Sequence, residues 1–93
     1  MIALQGDTLR IEGAMTLASA RRLEEAARAS LPLARRIDLA AVSEVDSSAI
    51  ALLFGWMRAA GRPLELCQPP AGLRALAEVY GVAGLLGLTS SQQ

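Results

Sequence analysis

Val42-Ser43-Glu44-Val45-Asp46-Ser47-Ser48-Ala49-Ile50, continued by Ala51-Leu52-Leu53-Phe54, is the stretch from which the fold can be read. An alternating apolar segment, Ile37-Asp38-Leu39, runs into it, and a helical pattern of about four turns leaves it. Three small polar residues sit at the hinge. Their side-chain oxygens can accept from the free N–H groups of a helix's first turn, so one of Asp46, Ser47 or Ser48 is expected to be the N-cap. The same helix start offers unpaired N–H groups and a positive dipole end, which favour a negative group.

Working outward, Met1 to Leu4 is a short apolar piece and Gln5-Gly6-Asp7 has turn chemistry. Thr8-Leu9-Arg10-Ile11-Glu12-Gly13 then alternates, which predicts a hairpin ended by Gly13. From Thr16, a plausible N-cap, the period becomes helical through Leu17, Ala20, Leu23 or Glu24, Ala27 and Leu31, until Pro32 stops it. Arg21 with Glu25, and Glu24 with Arg28, are spaced to pair on the wet side. A strand is expected over Arg35 to Val42, and a second helix from Ser47 or Ser48 to Ala60, closed by Gly61. Pro63 to Cys67 reads as a fourth strand, and Pro70 as the opening of a third helix striped by Leu73, Leu76, Ala77 and Tyr80. Arg74 and Glu78 read as a solvated pair. Val82 to Leu88 is short and apolar, and Thr89 to Gln93 is expected to fray. Strands alternating with helices predict an α/β domain: one sheet of about four strands, with helices mainly on one face.

Composition narrows the chemistry. The 93 residues allow one domain. The apolar run Ala49 to Met57 is too short to span a bilayer, and Gln5, Asp7, Arg10 and Glu12 break any signal-like core; a cytoplasmic chain is expected. Nine basic and nine acidic residues balance without a basic stripe, which argues against nucleic acid. The chain has no histidine and one cysteine, which removes His- or thiolate-based metal sites, internal disulfides and Ser-His-Asp hydrolysis. No glycine-rich phosphate loop appears, so no cofactor is implied. Cys67 reads as a small hydrophobe.

In its hinge and its order of elements the chain resembles a STAS domain, the fold of anti-sigma factor antagonists and of transporter-linked domains. The residues that carry the resemblance are Ile37-Asp38-Leu39, Val42 to Ser48, Leu52-Leu53 and Ile11-Glu12-Gly13. The small size, and the ending Leu76-Ala77-Glu78-Val79-Tyr80-Gly81-Val82, resemble the standalone STAS subunits of phospholipid-transporting ABC complexes. Two departures stand out: Ala49 replaces the family's usual glycine, and Thr16 stands where many members carry an acidic residue. The resemblance implies a non-enzymatic subunit that binds a transporter ATPase and associates with the inner membrane through it. The alternative it implies is an anti-sigma factor antagonist whose partner kinase phosphorylates Ser47, against a plain structural serine.

Around the second helix, at about 100° per residue, Ile50, Leu53, Phe54, Met57 and Gly61 fall on one side. Leu52, Trp56 and Ala59 fall largely opposite. A helix apolar on both sides is sandwiched or exposes a patch. The expected docking surface is therefore Asp46, Ser47, Ser48, Leu52, Trp56 and Ala59, with Trp56 pointing outward as its anchor; the competing reading packs Trp56 on a neighbouring helix.

Overall fold

The computed structural model of the chain describes residues 1–88; the expected frayed tail, 89–93, lies outside the described residues. Strands β1 (Ile2–Gln5) and β2 (Thr8–Met15) form the hairpin, turning through Gly6 at a left-handed φ of 63°. Helix α1 (Leu17–Ala27) and a 3₁₀ turn at Leu31–Leu33 lead to β3 (Arg36–Val45). Helix α2 (Ser47–Ala60), strand β4 (Glu65–Cys67) and helix α3 (Ala71–Val79) complete the order. The sheet is mixed, in the order β1-β2-β3-β4, with β1 antiparallel to β2 and the other neighbours parallel.

Strand alternation sorts the two faces. Leu9, Ile11, Ile37 and Leu39 are buried beneath the helices. Their neighbours in sequence make a ladder of ion pairs on the open face. Arg36 bridges Asp7 (3.1 Å) and Glu65 (3.2 Å), and Arg10 bridges Glu12 (3.2 Å) and Asp38 (3.4 Å). Cross-strand pairs of opposite charge suit a solvated sheet surface. Cys67 pairs in register with Asp38 at the edge of this face. Burial, aided by the Glu65 and Asp38 carboxylates and opposed by Arg36, pushes its thiol up, which disfavours the thiolate.

Several boundaries move for identifiable reasons. Gly13 does not end β2: its φ of 97° accompanies irregular pairing with β3 around it, a bulge that lets the strand run on to Met15. In α1 the expected stripe holds at Leu23 and Ala27 and at Leu31 beyond the helix, but it begins at Ser19 rather than at Leu17, which is 77% exposed. Ser19 occupies that stripe because its hydroxyl donates to the Ala14 carbonyl (2.8 Å) and accepts from the Thr16 N–H (3.0 Å). The helix ends at Ala27, and Pro32 sits inside the 3₁₀ turn that follows. β3 continues to Val45, and β4 begins only at Glu65. Gly61 closes α2 at φ 75° as expected, accepting no side-chain strain there. Val82 to Leu88 forms turns, although Leu86 and Leu88 are buried. Tyr80 is exposed rather than part of the core stripe of α3.

The expected helix-surface ion pairs do not form. Among the described residues, Arg21, Arg28 and Arg74 make none with Glu25, Glu24 and Glu78. Arg74 instead donates to the Leu88 carbonyl (2.8 Å), tying the last described residue to α3. Arg62 donates to the carbonyls of Pro32, Ala34 and Ala60, pinning the end of α2 to the turn after α1.

The main correction concerns Trp56. It is 2% exposed and Leu52 is 8% exposed, so both belong to the core and neither faces outward. The buried arc of α2 comprises Ala49, Ile50, Leu52, Leu53 and Trp56, with Phe54 and Met57 only half-buried. That arc is turned by about 80° from the expected one, at 100° per residue. The cause is lateral: α2 lies on the sheet and also against α1 and the 3₁₀ turn. It therefore buries two adjoining sides, and Trp56 fills the corner beside α1.

Candidate functional site

The hinge places Asp46, Ser47 and Ser48 together at the start of α2. Asp46 is the N-cap, and its Oδ1 accepts from the Ser48 N–H at 2.8 Å. Its Oδ2 accepts from the Leu17 N–H at 3.0 Å, at the start of α1. One carboxylate thus holds the first turns of two helices, and each turn presents positive partial charge to it. The Leu17 N–H is the largest cause holding the Asp46 carboxyl below its ordinary value; burial opposes it, and the Ser48 N–H and hydroxyl add to it. Periodicity could reveal the cap within α2, but the bond to Leu17 depends on how two helices sit on the sheet.

Ser47, the first residue of α2, is exposed, and Ser48 is half-buried. Among the described residues the Ser47 hydroxyl makes no hydrogen bond to the chain, so it is free for contact or modification. Leu17, whose backbone N–H is bound by the neighbouring Asp46, has an exposed side chain. Down the outer side of α2 the exposed residues are Ser47, Ala51, Arg58 and Ala59. Of the expected docking residues, Asp46, Ser47, Ser48 and Ala59 therefore reach or border one surface, whereas Leu52 and Trp56 lie beneath it. Helical spacing puts Leu17 in the apolar stripe of the first helix rather than at the surface, and the small Ala51 and the charged Arg58 give no apolar signal of an exposed patch.

Next to this surface a cleft of about 350 Å³ opens between α1 and α2. Ala20, Glu24 and Arg28 line one side, Ala51, Gly55, Arg58 and Ala59 the other, with Trp56 and Leu52 in its wall. No group of three or more potential ligands for a metal ion occurs among the described residues, and no helix there is long and apolar enough to cross a membrane.

Comparison with known structures places this geometry in a fold. The anti-sigma factor antagonist SpoIIAA in its unphosphorylated form superposes with a TM-score of 0.59 at 17% identity, over 84% of this chain and 80% of that one. The phosphorylated Bacillus SpoIIAA gives 0.59 at 16% identity, covering 90% and 85%. A Thermotoga maritima protein described as an anti-sigma factor antagonist gives 0.71 at 12% identity, covering 92% and 81%. At such identities the likeness establishes the fold alone. No curated protein matches the sequence significantly. The family described as "Mlab, STAS domain" matches residues 2–88, nearly the whole chain, and the chain therefore belongs to the MlaB-type STAS domain family.

Proposed function

We propose that this chain is a non-enzymatic docking subunit of a phospholipid-transporting ABC complex, binding the cytoplasmic ATPase subunit and favouring its assembled, active arrangement. The observation that carries the reading is the surface at the start and outer side of α2. There Ser47, Ala51, Arg58 and Ala59 lie exposed, in a chain whose family is MlaB-type. A binding partner that prefers one conformation shifts its population by the difference in affinity between states, without chemistry of its own. The subunit would sit on the cytoplasmic side of the membrane, held there through the ATPase.

The test is reconstitution. The purified chain should hydrolyse no ATP alone, yet change the turnover and yield of its cognate transporter complex. A complex that assembles and turns over identically with and without the chain would overturn the reading.

A second reading has one observation in its favour: Ser47 is exposed at a helix N-terminus, where a phosphate is favourably placed. Under it the chain is an anti-sigma factor antagonist switched by a partner kinase. Intact-mass analysis of the native protein should then reveal a singly phosphorylated pool; its absence across growth, stress and stationary phase excludes the switch.

A further inference from the structure

Gly55 has no role that the fold explains. It lies in the middle of α2, where glycine is a poorer helix former than alanine. Its backbone is not in the left-handed region, and a Cβ placed there would meet nothing closer than Arg58 Nη2 at 3.9 Å. Gly72 is the contrast: a Cβ there would stand 3.3 Å from Val45 Cγ2, so close packing of α3 on β3 accounts for it. At Gly55 the space is left open to the α1–α2 cleft, and Ala51 and Ala59, one turn to either side, widen it.

Two further observations describe what the opening would suit. Arg28 and Arg58 both line it, and among the described residues neither forms an ion pair, although the arginines of the open sheet face do. Glu24 is the third charge of the rim, which leaves the rim positive overall. Beneath, the buried Trp56 ring forms part of the cleft wall. Small residues over a buried indole ring, rimmed by unpaired guanidinium groups, fit an incoming apolar side chain flanked by carboxylates.

We propose that the α1–α2 cleft seats an acidic segment of the partner protein, with one apolar side chain over Gly55 and carboxylates meeting Arg28 and Arg58. This deepens the docking reading above and rests on it: the ATPase subunit would supply the segment. Such an interface is helix-in-groove in kind, with charge setting orientation and encounter rate.

The experiment measures binding of the purified ATPase subunit to the wild-type chain and to two variants. Gly55→Leu, which fills the cleft, should keep or raise the melting temperature while weakening binding about tenfold or more. Arg58→Glu should fold normally, bind comparably less well, and regain affinity when one acidic residue of the ATPase is changed to arginine. Trp56 is the chain's only tryptophan, so 5-fluorotryptophan labelling gives a single ¹⁹F resonance in the cleft wall, which should shift on adding unlabelled ATPase. If the wild-type chain fails to bind, the docking reading and this proposal fall together. If the wild type binds and both variants bind within about threefold of it, or the ¹⁹F resonance stays put, the proposal alone is overturned and docking occurs elsewhere.

Discussion

The open face of the sheet and the outer side of α2 are both solvent-exposed and both carry arginine, yet they are built on opposite terms. On the sheet, Arg36 and Arg10 each find two carboxylates within 3.1 to 3.4 Å, and the chain answers its own charges. Along α2, Arg58 has no ion pair among the described residues, Ser47 has no hydrogen bond to its hydroxyl, and Gly55 keeps open a space that a methyl group could fill. A surface that satisfies itself has little to gain from a partner. One whose groups are left unanswered has more, because paired, desolvated contacts can be made there for the first time.

The largest effect should come from testing where that outer side ends. Trp56→Glu puts a charge into a site 2% exposed, and charging a core position is among the few severely destabilising changes, costing several kcal/mol. The variant should be unfolded, or far below wild type in melting temperature by circular dichroism, as Leu53→Glu should be. A folded Trp56→Glu protein would mean that the outer side extends around to Trp56.

That expectation reverses the one drawn from helical spacing, and the reversal shows what the sequence could carry. The hinge was legible: Asp, Ser and Ser between an alternating run and a helical one point to an N-cap among them, and Asp46 is that cap. The apolar faces of Leu9, Ile11, Ile37 and Leu39 followed from period two. The rotation of α2 did not, because one-dimensional periodicity contains no information about a helix's lateral neighbour. Trp56 is buried where α2 runs beside α1, and that contact depends on how the helices pack side by side. For the same reason Leu17 N–H to Asp46 was out of reach, joining residues far apart in sequence. The cleft escaped because its signal is the absence of side chain at Gly55.

Next in size is Asp46→Asn, at the junction where the outer side begins. The amide keeps one oxygen acceptor and replaces the other with a donor, so one of two helix starts loses its partner. The melting temperature should fall at neutral pH. The sign of the pH effect follows from the carboxyl being held below its ordinary value of 3.8 by the folded structure. Its contribution is complete above that value and is lost as pH falls through the lower, native one. Wild type and variant should therefore differ most above pH 4 and converge in strong acid; a constant gap across the acid range would assign the effect to something other than this ionisation.

Gly55→Ala should act in the opposite direction. With a helical backbone and room for Cβ, the substitution should stabilise the chain by roughly 0.5–1 kcal/mol. Denaturant titration resolves such a gain. A loss would show that the glycine serves the fold and would remove the contrast with Gly72.

On the sheet, Arg36→Gln removes both of its ion pairs, each between groups at least 40% exposed. Exposed pairs are typically worth about 0–1 kcal/mol and are screened by salt. The loss should be small at low ionic strength, smaller still in molar salt, and without effect on the ATPase complex. A large effect on the complex would place an interface on the face that pairs its own charges.

The smallest expected change in stability is at Ser47, and it separates the two surfaces most cleanly. Asp46 is the N-cap and Ser47 the first helical residue, and among the described residues the Ser47 hydroxyl has no hydrogen-bond partner. A cap serine changed to alanine costs about 0.5–2 kcal/mol, whereas an exposed residue without such a role is usually within about 0.5 kcal/mol of neutral. Ser47→Ala should therefore unfold with the wild type in denaturant, while its affinity for the ATPase subunit falls measurably. Arg36→Gln should show the converse, a small shift in stability and an unchanged affinity. If Ser47→Ala loses stability but not affinity, the hydroxyl serves the helix after all, and the start of α2 belongs with the sheet among the surfaces that answer themselves.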